Sequence, residues 1–131
     1  ISYFMRPIME SIKAYRSQLY FLDSVTTSRS VAHIEAINSG LDSVKRDVFL
    51  DNEHTNPESI KFQFDLWLDK ARNTGSAVAI GHPHPETIAF LTDNLPLFEK
   101  NFRFMRLSEL ISAAKTASRS LEPQAYLTNF E

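Results

Sequence analysis

The sequence predicts an α/β fold in which parallel strands alternate with helices. Short apolar runs that are typical of buried strands recur at residues 19–22, 47–50, 77–80 and 102–106. The segments between these runs repeat apolar residues at helical spacing and carry capping residues at their ends. Such alternation is typical of βαβ units, so we expect a parallel sheet of βα units with right-handed crossovers.

Two helices are expected in the first third of the chain. The second of them runs through 31–37, where hydroxyl side chains at 26–28 are candidate caps and Gly40 marks the end. The first helix presents one apolar face, made of Met5, Ile8, Met9 and Ile12.

Three more helices are expected after residue 50. Asn56, followed by a proline, is an N-terminal signal, and Gly75 follows the end of that helix. Trp67 lies on its apolar face, which favours a place in the core over stacking against a sugar. A further helix is expected over 85–94, and Ser108 caps a short closing helix.

The stretch SAVAIGHPHPET, residues 76–87, is the best candidate for chemistry. Its first five residues are uncharged and suit a strand that is buried on both faces. The proline after the second histidine suits the first position of a helix. His82 and His84 therefore fall where a buried strand leads into a helix. Ligands of parallel α/β proteins bind at the carboxyl ends of strands, so this turn is predicted to belong to the functional site.

The composition excludes several classes of protein. The chain has 131 residues, a net charge of −2, three glycines and no cysteine. The net negative charge gives no indication of a basic surface for nucleic acid. No apolar run is long enough to span a membrane. Disulfides, thiolate metal sites and cysteine nucleophiles are absent. No glycine-rich phosphate loop is present either.

Polar residues follow three of the expected strands. These are Asp23-Ser24, then Asp51-Asn52-Glu53, and then His82 and His84. If the strands are parallel, the three groups meet at one edge of the sheet, where carboxylates and imidazoles could bind Zn²⁺, Mn²⁺ or Fe²⁺ or transfer protons. The alternative is that each group only caps its own turn, and the pattern by itself leaves both interpretations open.

Three of these stretches together resemble the divergent polysaccharide deacetylase family. They are FLDS at 21–24, RDVFLDN at 46–52 and AIGHPHPET at 79–87, and the resemblance covers about residues 1–112. It implies a partial deformed (β/α) barrel over residues 1–115, followed by a poorly ordered tail at 116–131. The family pattern extends further at the amino end, so the chain is expected to be the carboxyl-terminal portion of a longer protein.

The resemblance also implies an activity, namely metal-dependent hydrolysis of N-acetyl groups on carbohydrate by the longer parent. His82 would protonate the leaving amine, Asp51 would position His82 or the substrate, and Asp23 would contact the metal or orient the water. Asp23 and His84 are the implied metal ligands. The remaining positions that match the family pattern are expected to bind substrate, and they are Ser24, Arg46, Asn52 and Glu86.

Several further expectations follow from the resemblance. The parent would use a divalent metal, with zinc as the first choice, and this chain alone would bind none tightly. The parent would be periplasmic or otherwise extracytoplasmic. The barrel would lack earlier strands, so self-association through an exposed sheet edge near 19–22 is expected. The alternative function is a non-catalytic glycan-binding or cell-envelope interaction domain.

Overall fold

A computed structural model describes residues 2–15, 18–117 and 126–128 of the chain. These residues form a mixed α/β fold with five helices and short parallel strands. The chain divides into two compact units, Ile1–Arg46 and Asp47–Glu131.

The first unit contains two helices and a two-stranded parallel sheet. Its elements, in chain order, are α1 (Ser2–Tyr15), β1 (Tyr20–Asp23), α2 (Ala32–Asn38) and β2 (Asp42–Lys45). In the pairing of β1 with β2, Tyr20 lies opposite Asp42 and Asp23 lies opposite Lys45. The Arg46 backbone N–H extends this ladder by donating to the Asp23 carbonyl at 2.9 Å.

The core of the first unit lies between its two helices. Met9 is fully buried and packs with three residues of α2 and the segment after it, which are Ala32, Ala36 and Leu41. Met5 and Ile12 pack against this cluster, as the helical spacing predicts, whereas Ile8 of the same expected face is half-exposed. The buried Glu35 accepts a hydrogen bond from Arg6 at 3.2 Å, and this ion pair also links α1 to α2.

The second unit is built on a four-stranded parallel sheet with the order β3-β4-β6-β5. Its strands are β3 (Val48–Phe49), β4 (Ser76–Ile80), β5 (Phe104–Met105) and β6 (Tyr126–Thr128). Its helices are α3 (Pro57–Thr74), α4 (Pro85–Phe98) and α5 (Leu107–Ala117).

The long helix α3 carries the main core of this unit. Asn56 is its N-cap and accepts the Ser59 N–H at 2.8 Å, while Gly75 ends it in the left-handed conformation, as the sequence predicts. Trp67 is fully buried, and its indole N–H donates to the Ala77 carbonyl at 3.0 Å, so its assignment to the core is confirmed. Because both its ring and its polar atom are satisfied inside the protein, Trp67 is not available to stack on a sugar.

The strand pattern differs from the expectation in four places. The expected strand at 47–50 is only the two-residue β3, and the strand at 102–106 is only β5. The strand β2 was not predicted, because its sequence DSVK has one apolar residue and is half-exposed rather than buried. The strand β6 was not predicted either, and it falls within the expected tail. Residues 118–125 and 129–131 of that tail lie outside the described residues.

No helix in the described part of the chain is both long enough and apolar enough to cross a membrane.

Candidate functional site

The pairing of β3 with β4 brings two of the expected site residues together. Val48 lies opposite Ala79, Phe49 lies opposite Ile80, and the Leu50 N–H continues the ladder to the Ile80 carbonyl at 2.9 Å. Continuing this register places Asp51 beside His82. Neighbouring strands are about 4.8 Å apart, so side chains that follow the two strands are within hydrogen-bonding reach.

Asp51 is the centre of the hydrogen-bond network at this edge. Its side chain is 0% exposed. Its Oδ1 accepts hydrogen bonds from the His82 backbone N–H at 3.0 Å and from His82 Nδ1 at 2.9 Å. Its Oδ2 accepts from the same backbone N–H at 2.9 Å and from Thr87 Oγ1 at 2.6 Å. Both oxygens are therefore fully used by groups of the second unit.

These contacts determine the charge of Asp51. Burial raises the pKa of its carboxyl, but hydrogen bonds from the Thr87 hydroxyl and from the backbone and ring of His82 outweigh burial and hold the pKa below 3.8. The side chain is thus a carboxylate near neutral pH. An ionised carboxylate can only accept hydrogen bonds. Nδ1 of His82 therefore carries a proton and donates a hydrogen bond to Asp51.

The His82 imidazole is the exposed member of the pair. Its side chain is 51% exposed and packs at ring-centroid distances of 5.3 Å from Phe49 and 5.2 Å from His84. Because Nδ1 is bound to Asp51, Nε2 is the nitrogen that remains for proton transfer or for a ligand. A buried carboxylate that orients a partly exposed imidazole is an arrangement found in general acid–base sites.

Asp51, His82 and His84 also form a cluster that could hold a metal ion. Each residue offers one ligand atom, and the three atoms lie within 4.8 Å of one another. One carboxylate and two imidazoles suit Zn²⁺, Mn²⁺ or Fe²⁺. His84 is the N-cap of α4 but makes no side-chain capping hydrogen bond, so its ring is not committed to the helix end.

Asp23 lies in the first unit and is also buried, with 5% of its surface exposed. Its Oδ1 accepts the Val25 N–H at 2.9 Å, and its Oδ2 accepts the Ser30 hydroxyl at 2.7 Å and the His33 N–H at 3.3 Å. Burial raises the pKa of Asp23, whereas these hydrogen bonds lower it and prevail. Asp23 thus closes its own turn and binds the first turn of α2, as the capping alternative expects.

This capping differs from the sequence-based expectation for α2. Hydroxyl groups at 26–28 were expected to cap the helix, but its N-cap is Val31, which makes no side-chain cap hydrogen bond. The first-turn N–H of His33 binds Asp23 instead, and the Ala32 N–H binds Ser30 Oγ at 3.4 Å. Asp23, ten residues before His33, and the local Ser30 therefore share the capping of α2.

Arg46 is engaged with the backbone of the turn after β1. Its Nε donates to the Ser24 carbonyl at 2.5 Å, and its Nη2 donates to the Val25 carbonyl at 2.7 Å. Val25 has a φ of 50°, which is unfavourable for a β-branched residue. Asp23 binds the Val25 N–H and Arg46 binds the Val25 carbonyl, so these two side chains hold the strained residue in place.

The other expected site residues lie in exposed positions. Asn52 follows Asp51 in the loop after β3, and Glu86 is in the first turn of α4. The expectation of three successive polar strand ends needs one correction. The unpredicted β2 comes between the strands that precede Asp23 and Asp51, and it is followed by the basic Arg46. The contact of Asp51 with His82 is as expected, while the proximity of Asp23 to this pair stays a prediction.

Sequence reasoning missed Thr87, which is fully buried and binds Asp51. The available signal was a hydroxyl residue in the first turn of a helix that begins beside a polar strand end. The sequence indicates only a strand position for Phe49, although its ring packs against His82.

Comparison with known proteins is consistent with this geometry. The family model of the divergent polysaccharide deacetylases matches residues 3–111. The Escherichia coli (strain K12) uncharacterized protein YibQ is 37% identical over 108 residues, which are 82% of this chain and 33% of that protein. An uncharacterized Haemophilus influenzae protein is 38% identical over 92 residues, which are 70% of this chain and 32% of that protein.

The chain thus spans about a third of the length of the curated relatives it matches. No solved structure matches it significantly. The family match covers most of the chain, including the strand ends that carry Asp23, Asp51 and His82. This chain therefore belongs to the divergent polysaccharide deacetylase family.

Proposed function

We propose that this chain is part of a metal-dependent hydrolase that removes N-acetyl groups from carbohydrate. Family membership supports the reaction class, and the hydrogen-bonded pair of Asp51 and His82 supports the chemistry. The activity belongs to the whole protein, because this chain spans about a third of its relatives.

The pair is the observation that carries the proposal. Cleavage of an acetamide needs a proton for the departing amine, and a positioned imidazole is the side chain that most often supplies one. In the proposed reaction, His82 gives this proton from Nε2. Asp51 holds the ring through Nδ1, and its own lowered pKa keeps it ionised as an acceptor.

In the described part of the chain, Asp51, His82 and His84 form a cluster whose ligand atoms lie close enough together to hold a divalent metal. Such a metal, when bound, supplies a more acidic water as nucleophile. Holding a cation and donating a proton are alternative uses of His82, and the hydrogen bond from Nδ1 to Asp51 would serve either one. Both oxygens of Asp51 already accept hydrogen bonds, so Asp51 is poorly placed to join His82 as a metal ligand. We therefore favour proton transfer as the role of His82.

The other matched residues have proposed roles around the acetylated sugar. Asp23 is proposed to contact the metal or orient the water of the parent. Ser24, Asn52 and Glu86 are proposed to contact substrate. For Arg46, its hydrogen bonds to the Ser24 and Val25 carbonyls favour shaping this part of the site over direct contact.

Architecture and location are proposed on the same basis. The parallel β1–β2 and β3–β4 pairs are consistent with segments of a deformed (β/α) barrel that the whole protein would complete. The family resemblance favours an extracytoplasmic location for the parent.

A non-catalytic glycan-binding or cell-envelope interaction domain is the second candidate. One observation favours it, namely that every oxygen of Asp23 and Asp51 accepts a hydrogen bond from the surrounding chain. Those contacts are sufficient to explain why two carboxylates are buried. Such a domain would bind N-acetylated oligosaccharide without releasing acetate.

The test is acetate release from N-acetylated oligosaccharide by the full-length protein that contains this chain. His82→Gln should lower kcat/KM by about 10²–10⁴-fold, the usual contribution of a general acid. His54→Gln is the matched control, because His54 is an exposed loop histidine outside the site, and it should keep full activity.

Two results would decide against the enzyme. Full activity of His82→Gln would remove His82 from the reaction. Saturable sugar binding with no acetate release by the metal-supplied wild type would favour the glycan-binding domain.

A further inference from the structure

Thr87 is the fully buried polar residue that touches the carboxylate of the proposed site. It lies in the first turn of α4, two residues after the proline that opens the helix. Its Oγ1 donates to Asp51 Oδ2 at 2.6 Å, which is shorter than the three contacts of His82 with the same carboxylate, at 2.9, 2.9 and 3.0 Å. Thr87 is matched to no role by the family resemblance.

We propose that Thr87 is a positioning residue whose hydroxyl holds Asp51 in place and thereby keeps His82 in the tautomer with its proton on Nδ1. This inference rests on the proposed function to the extent that His82 is the working imidazole. The tautomer of His82 is a property of the protein without substrate or metal, so it can be measured in their absence.

The proton position on His82 depends on how its ring and the Asp51 carboxylate are oriented. The His82 ring is half-exposed, and its ring neighbours Phe49 and His84 offer tilted packing that does not distinguish Nδ1 from Nε2. The hydrogen bond to Asp51 is therefore the contact that selects which nitrogen carries the proton. The orientation of the Asp51 carboxylate decides whether that selection holds.

The orientation of Asp51 depends in turn on donors at both of its oxygens. The His82 backbone N–H is shared between Oδ1 and Oδ2 at 3.0 and 2.9 Å, so it does not fix the rotation of the carboxylate. The Thr87 hydroxyl contacts Oδ2 alone, which leaves Oδ1 turned toward Nδ1. The same hydroxyl gives a strong hydrogen bond to the buried carboxylate of Asp51. This bond favours the ionised form of Asp51, which can only accept hydrogen bonds.

A role in packing alone makes a different prediction. Thr87 has a methyl group, and filling space at the start of α4 needs its volume rather than its hydroxyl. Thr87→Val keeps the volume and β-branching but removes the hydroxyl, whereas Thr87→Ser keeps the hydroxyl but removes the methyl. The two substitutions therefore separate the two roles.

The experiment is nitrogen NMR of the histidine rings in this chain, labelled with ¹⁵N at histidine. Spectra are recorded with a chelator present and at a pH where the imidazoles are neutral. In the wild type, Nδ1 of His82 should have the shift of a protonated ring nitrogen. Thr87→Ser should keep that shift, and Thr87→Val should move both nitrogens toward intermediate values, as expected for a mixture of tautomers.

The inference is overturned if Thr87→Val keeps the wild-type shifts or if Thr87→Ser loses them. The indole N–H proton of Trp67, which is hydrogen-bonded to the Ala77 carbonyl in the core of the same unit and lies outside this network, reports whether each variant is folded like the wild type. Should Thr87→Val not fold, Thr87→Ser still decides, because loss of the Nδ1 proton there is incompatible with a hydroxyl-dependent role. Failure of the proposed deacetylation would appear in acetate release and not in these spectra, so the two failures are distinguishable.

Discussion

Asp47 and Val78 are joined by two hydrogen bonds where the pairing of β3 with β4 begins. The Asp47 backbone N–H donates to the Val78 carbonyl at 2.8 Å, and the Val78 N–H donates to Asp47 Oδ2 at 2.7 Å. The carboxylate thus replaces a backbone carbonyl as the partner of Val78. This contact favours the register that carries Asp51 to His82, because a slip of one residue would turn every side chain to the other face.

Asp47→Ala should weaken this register. We expect the free energy of unfolding to fall by about 1–3 kcal/mol, since the Val78 N–H loses a charged acceptor at a buried strand. Urea unfolding measures this loss. Asp65→Ala is the matched control, because Asp65 forms an exposed pair with Lys61 and such pairs contribute about 0.3–0.5 kcal/mol. Equal effects of the two substitutions would show that the Asp47 contact has no special role.

Asp51 should make the protein sensitive to acid. Its pKa is lowered from 3.8 on folding, so its contribution to stability is complete above the unfolded value and is lost as the pH falls below about 3.8. Asp51→Asn should therefore be less stable than wild type by about 1–3 kcal/mol near neutral pH. That difference should shrink steadily in more acidic solution.

Urea unfolding across this pH range checks the prediction, with Asp93→Asn, an exposed aspartate of α4, as control. A stability difference for Asp51→Asn that does not change with pH would contradict the assigned ionisation. The pKa of Asp23 is also lowered, so part of the acid sensitivity should persist in the Asp51 variant.

Zinc should bind this chain only weakly. Catalytic zinc sites usually have three protein ligands, and of the cluster here Asp51 is buried with both oxygens engaged, which leaves the two histidines. Isothermal calorimetry should detect no stoichiometric site of sub-micromolar affinity. A tight site that His82→Ala and His84→Ala abolish, and that His54→Ala leaves intact, would show that the chain holds a complete metal centre.

The isolated chain should self-associate through strand edges. In the first unit, β1 and β2 form a sheet of only two strands, and unpaired strand edges are templates for another chain. Size-exclusion chromatography with light scattering should show oligomers that increase with concentration. A monomer with a sharp cooperative melt at all concentrations would contradict this prediction.

The approximate positions of the helices and of the main buried strand could be predicted from sequence. The exception is the closing helix, which was expected to be short and capped by Ser108 but runs over Leu107–Ala117 with Ser108 in its first turn. Helix signals are local, as shown by the Asn56 cap and the Gly75 end of α3 and by the proline that opens α4. The strand β4 was recognisable because its residues are uncharged and buried on both faces. The same stretch identified His82, because a polar residue after such a strand lies at the edge where ligands bind.

Tertiary structure alone decided which of these residues contact one another. The strand β2 contains no apolar run from which it could be predicted, and its pairing with β1 depends on residues about twenty positions away. Asp23 caps a helix ten residues on, and Thr87 binds a carboxylate from another strand end, so the sequence around each residue does not identify its partner. Hydrogen bonds between residues distant in the chain form only when the register of the strands has been set. For that reason the sequence determined which groups could act, and the fold determined which of them meet.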